Sequence, residues 1–175
     1  MIMTVEEFRI FVNTDTSDSM LKMKLEALEL MIRKYTNNNF QYRNFRTVAS
    51  ISDGRFLFQG AQLFSPGDTV QISNSSFNDD IYVIEETDDH SFTVDKPVMN
   101  DASVLCTKIV YPADIKMGVI NMMKWELENR SKVGIQSETI SRHSVTYFNM
   151  DGDNSMLGYP KSLTGFLRPY MKARF

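Results

Sequence analysis

Between Val133 and Asn149 the chain reads VGIQSETISRHSVTYFN, which brings Ser137, Glu138, Ser141, His143 and Ser144 into one short stretch. These are the residue types of a hydrolase: a serine nucleophile, an imidazole that takes its proton, and a carboxylate that orients the imidazole. A nucleophile elbow would add G-x-S-x-G at a strand-to-helix turn, and that pattern occurs nowhere in the chain. The only other histidine, His90, sits in TDDHSF, which reads as a hairpin turn. Triads assemble in space, so sequence order does not exclude one, but nothing here supplies an oxyanion hole. From Ile140 to Phe148 the residues are rich in β-formers with polar side chains on both faces, and a polar β ribbon is the better reading.

A second group, Asp151, Asp153 and Ser155, has the spacing of a calcium loop. Its sixth position is Met156 where glycine is needed, and its twelfth is Ser162 where a bidentate acid belongs, so it reads as a solvated turn. Cys106 lies alone in VLCTKIVY and reads as a small strand residue. With two distant histidines it forms no structural zinc set. No glycine-rich phosphate loop is present. The expectation from these motifs is a protein with no catalytic residues, no metal and no cofactor.

What must position these residues is a chain of 175 residues, 42% hydrophobic and 23% charged, long enough to bury a real core. The net charge of -3 gives no global basic field for nucleic acid. No run approaches the roughly 20 apolar residues of a membrane helix. The opening MIMTVEEFRIF has acids where a secretion signal has bases, so a cytoplasmic protein is expected.

Thr4 and Glu7 have capping-box spacing ahead of a short helix to about Val12. Asp18 or Ser19 opens a second helix, in which Leu21, Leu25, Leu28, Ile32 and Tyr35 form one apolar stripe. Asn37, Asn38 and Asn39 end it. From about Phe45 to Tyr111 come six short β-rich runs separated by turn chemistry such as DG, SPGD and TDDH, the pattern of a small antiparallel barrel or sandwich. Its aromatics, Phe56, Phe58, Phe64, Phe77, Tyr82 and Phe92, raise an OB-like nucleic-acid module. Gln59 to Asp95 holds no lysine or arginine, so a core role fits them better. Asp114 can cap a third helix from Ile115 to Arg130, with Ile115, Val119, Met122 and Met123 inward and Trp125 off the stripe. Gly118 marks either a close crossing or simple tolerance. Pro160 suits the start of a last helix with Leu163, Phe166 and Leu167 on its apolar face. The fold class expected is α+β: a small helical bundle of three to four helices (1–44 plus 111–175) with a polar β ribbon, and an inserted antiparallel barrel or sandwich (45–110).

Three segments, in order, carry a family resemblance: LEALELMIRKYTNNNF, then VINMMKWELENRSKVGIQSETISRHSVTYF, then YPKSLTGFLRPYMKARF. Over residues 1–44 and 111–175 the chain resembles the head-tail connector (head completion, or adaptor) proteins of long-tailed phages. Its β insert of about 65 residues departs from the compact members and is similar to inserts in connectors from phages of Gram-positive hosts. The resemblance implies a structural protein of the virion neck, made in the bacterial host cytoplasm. Such a protein forms a ring, usually of twelve copies, beneath the portal protein; it extends the channel through which packaged DNA passes and offers a surface to a stopper or tail-completion protein. By the same resemblance, Tyr159, Pro160, Lys161, Leu163, Leu167, Arg168, Pro169 and Tyr170 are expected to dock on the portal. Trp125, Glu138, Ile140, Arg142, His143 and Tyr147 are expected at subunit contacts or the channel. The alternatives are a stopper or tail-completion protein and, further off, the OB-like nucleic-acid module.

Overall fold

The structure is a computed structural model that describes residues 1–133, 137–140, 143–146 and 153–173. The chain divides into two compact units, one of Met1–Ile2 with Asn37–Tyr111 and the other of Met3–Thr36 with Pro112–Phe175.

The first unit is a closed antiparallel barrel of six strands: β1 (Gln41–Ser52), β2 (Arg55–Phe58), β3 (Thr69–Ser73), β4 (Ile81–Asp88), β5 (Ser91–Val94) and β6 (Asp101–Ile109). Around the wall they run β1-β2-β5-β4-β3-β6 and back to β1. Closure removes the bare edges that such short strands would otherwise expose. The turn between β1 and β2 is Asp53-Gly54, both at positive φ (51° and 80°), the backbone that a two-residue hairpin demands and that glycine adopts without strain. Alternate side chains fill the interior. Phe92 is its hub, stacked on Phe56 (ring centroids 4.7 Å apart, planes 7° apart), tilted against Phe58 and edge-on to Phe64. Tyr82 joins the core, and its hydroxyl donates to the Asn78 carbonyl at 3.1 Å. Phe77, the sixth aromatic of this region, is 74% exposed instead. Cys106 is fully buried, and burial pushes its thiol up to about 12, so it holds no thiolate at neutral pH.

The second unit contains α1 (Val5–Phe11), α2 (Asp18–Thr36) and α3 (Ala113–Asn129). Thr4 and Glu7 form the capping box that opens α1. Leu21, Leu25, Leu28 and Ile32 form the buried stripe of α2, and Asn37 ends it at φ 49°. Two short antiparallel pairs follow α3: β7 (Ser137–Ile140) with β8 (His143–Thr146), and β9 (Ser155–Met156) with β10 (Tyr159–Pro160).

The expected helical bundle does not form. A bundle buries the stripes of several long helices against one another, and only α2 and α3 are long; α1 has seven residues. The expected fourth helix is a pair of 3-10 turns, Lys161–Leu163 and Gly165–Tyr170. Gly165, the first residue of the second turn, weakens helix propensity, and Pro169 has no N–H to give an α-helical ladder. Among the described residues the fold is therefore dominated by the closed barrel, accompanied by three helices and 3-10 turns. Asp114 does not cap α3 either. Pro112 stands at the N-cap without a side-chain bond, and Asp114, the second residue of the helix, accepts from the Ile115 N–H at 2.9 Å within the first turn.

Candidate functional site

Glu126 lies on α3, four residues before Arg130, so one helical turn brings the two side chains together. Its carboxylate is only 11% exposed and collects three partners. Lys24 of α2 donates to Oε1 at 2.9 Å, Arg130 Nε to Oε2 at 2.7 Å, and the Tyr159 hydroxyl to Oε2 at 3.0 Å. Arg130 also donates from Nη1 to the Gly158 carbonyl at 2.9 Å, and its guanidinium lies over both the Trp125 and Tyr159 rings, 5.0 and 4.9 Å from their centroids. Burial opposes the charge on Glu126, but the hydrogen bonds from Arg130, Lys24 and Tyr159 outweigh it and hold the carboxyl below its ordinary value. Burial, with the Glu126 charge added, pushes the Tyr159 phenol up to about 12. Such a set fixes geometry; its phenol and carboxylate are both locked in the states least able to exchange a proton near neutral pH.

This knot is the first of three points that strap the C-terminal segment along α3, and a fourth ties it to α2. Farther along, the Phe166 ring lies on Gly118. A methyl group at that position would meet the ring at 2.2 Å and force it to shift, so the close approach here is to an aromatic ring and not to a crossing helix. Near the start of α3 the Tyr170 hydroxyl donates to the Asp114 carboxylate at 2.8 Å, which raises the tyrosine's pKa. Last, the Lys172 N–H donates to the Thr36 carbonyl at the end of α2, 2.8 Å away. The contacts run 126, 118, 114 on the helix against 159, 166, 170 on the strap, so the strap is antiparallel to α3.

The expected docking residues consequently split in two. Tyr159, Pro160 and Leu167 are buried in their own unit, with Leu163 and Tyr170 half-buried, while Lys161, Arg168 and Pro169 are exposed on the outer side of the strap. Trp125, expected at a subunit contact, is half-buried and packs on Tyr159, with ring centroids 5.4 Å apart. Glu138, Ile140 and His143 lie in the β7–β8 ribbon, where Glu138 is opposite Val145 and Ile140 opposite His143. Arg142 and Tyr147 lie outside the described residues, as do Ser141 of the serine-rich stretch and Asp151 of the acidic turn. Met156 of that turn is a sulfur acceptor for the Tyr35 hydroxyl at 3.2 Å.

Glu126, Arg130 and Lys24 were not singled out from sequence as one group. The i, i+4 spacing of Glu126 and Arg130 within WELENR was the available signal; Lys24 and Tyr159 are distant in the chain and only folding brings them in. Among the described residues no cluster of histidine, cysteine and acidic side chains could hold a metal ion, and no helix is long and apolar enough to cross a membrane. Compared with protein-family models and with curated proteins, the chain matches none.

Proposed function

We propose that this chain is a structural, non-enzymatic subunit of a phage neck: a head-tail connector whose copies ring the DNA channel beneath the portal protein and offer a surface to a stopper or tail protein. The reading rests on the three ordered sequence segments, and the strap is the structural observation that supports it. A docking segment binds best when its backbone is fixed beforehand, because ordering a loose tail on binding costs free energy. Here Tyr159, Phe166, Leu167 and Tyr170 anchor the segment, while Lys161, Arg168 and Pro169 remain on the outside.

The strap also decides how docking is tested. Removing residues 159–175 would strip buried side chains from the unit, so a lost interaction would report unfolding as readily as lost docking. The exposed pair Lys161→Glu with Arg168→Glu leaves the anchors in place. This double variant is expected to keep the wild-type Tm and to lose binding to the portal ring of the same phage, seen by electron microscopy of the mixture. Portal binding at wild-type level by the folded double variant would remove the strap from the interface, and a wild-type chain that never binds portal would end the connector reading.

A further inference from the structure

The barrel carries ten acidic residues and five basic ones between Asn37 and Tyr111, and the basic ones are distributed unevenly. Arg55 pairs with Asp88 at 2.7 Å, Lys96 with Asp80 at 2.7 Å and Lys108 with Asp68 at 2.6 Å. That leaves Arg43 and Arg46 as the barrel cations with no carboxylate among the described residues. Both lie in one irregularity. Gln41 is opposite Ile109 and Arg46 opposite Thr107, so β1 advances five residues while β6 advances two. The stretch YRNFR, which holds the three surplus residues and ends on the paired Arg46, has all five residues exposed. Tyr42 and Phe45 stack within it at 5.3 Å, and Lys108 lies 5.9 Å from the Phe45 ring. Bulges re-aim side chains and twist the strand away from regular pairing.

A second bulge carries the opposite charge. Ile84 is opposite Val94 and Thr87 opposite Phe92, which inserts one residue at Glu85–Glu86 of β4. Glu85, Glu86 and, in the following turn, Asp89 are exposed and have no cation among the described residues. Phe77 is exposed in the loop leading into this strand. In the closed order β1-β2-β5-β4-β3-β6, β1 and β4 are three strands apart in either direction. The basic, aromatic bulge and the acidic bulge therefore occupy opposite walls of one barrel, where no chain can bring its own two sets together.

We infer that the YRNFR bulge of one copy docks on the Glu85–Glu86–Asp89 wall of the next copy, barrel to barrel and head to tail. Opposite walls make the contact heterologous, the kind that propagates and closes into a ring when the rotation allows. A polyanion is the poorer occupant, since two uncompensated arginines release few counterions and the rest of the barrel surface is acidic. The contact names how copies of the proposed ring meet and rests on that reading for its setting.

Sedimentation of the full chain at low ionic strength over a range of concentrations tests it, with thermal unfolding as the control for folding. Wild type is expected to associate, and added salt to reverse this. Arg43→Glu with Arg46→Glu makes both walls acidic, and Glu85→Lys with Glu86→Lys makes both basic; each variant alone is expected to stay monomeric. An equal mixture of the two is expected to associate again, because every contact then joins an acidic wall to a basic one. Variants that associate like wild type, or a mixture that stays monomeric, would overturn the inference, as would a wild type monomeric at every concentration. So would an oligonucleotide shift abolished by the arginine changes in a chain that does not self-associate. The portal experiment separates the two proposals: complete rings on portal from either single variant sink the barrel contact alone, whereas salt-sensitive, mixture-rescued association without portal binding sinks the connector role alone.

Discussion

The barrel and the second unit solve the same problem of burial by different means. The barrel closes on itself, and Phe92 with Phe56, Phe58 and Phe64 makes an aromatic centre without a charged group. The second unit has too few long helices to close, and it covers α3 with a strap held by a carboxylate knot, a ring seated on a glycine, and a phenol–carboxylate bond. Apolar burial is non-directional and tolerant of small shifts. A strap of single contacts depends on each one, and it responds to pH and to a single methyl group.

The largest effect expected from that contrast is in the barrel. Phe92→Ala removes the ring on which three others rest and should destabilise the unit by about 3–5 kcal/mol, read from urea unfolding. A loss below about 1 kcal/mol would mean that the neighbouring rings close the gap.

In the strap, Gly118→Ala forces the Phe166 ring off its seat and is expected to destabilise by about 1–3 kcal/mol, the usual range for overpacking. The sign should reverse when Phe166 is already alanine, because alanine then gains up to about 1 kcal/mol of helix propensity over glycine. The double-mutant cycle measures the seat directly. Additive changes would show that the ring and the glycine are independent.

The smallest effect is the pH dependence that the strap contributes. The Glu126 carboxyl titrates below its ordinary value of 4.5 when folded, so the stability it adds is fully present above that pH and is lost as pH falls through the lowered value. The Tyr159 phenol moves from 10.0 to about 12, so its contribution is present below pH 10 and is lost as pH rises toward 12. Glu126→Gln is expected to flatten the acid limb of Tm against pH, and Tyr159→Phe the alkaline limb. Unchanged limbs in both variants would remove the knot from the unit's stability.

Much of the local structure was legible because its signals are local. The Thr4–Glu7 capping box, the stripe of α2, the Asp53-Gly54 turn and the alternating β runs each act over a few residues. The bundle was not, since Leu163, Phe166 and Leu167 have helical spacing, while Gly165 and Pro169 turn that segment into 3-10 turns. At the candidate site the sequence marked Tyr159 and Trp125 separately, and gave no sign that Arg130 would lie over both rings. The YRNFR run was readable as basic and aromatic; its isolation as a bulge depends on the register between β1 and β6.

By itself the sequence determined the first three helices, the β runs, the turns between them and how much charge each region holds, because propensity, capping and turn chemistry operate between near neighbours. Only the tertiary structure decided that the barrel closes with Arg43 and Arg46 on one wall and Glu85 and Glu86 on the opposite one, and that Tyr159, Glu126, Arg130 and Lys24 meet in one knot. Those facts join residues far apart in the chain, and their reason is the shared burial and register that fold them together.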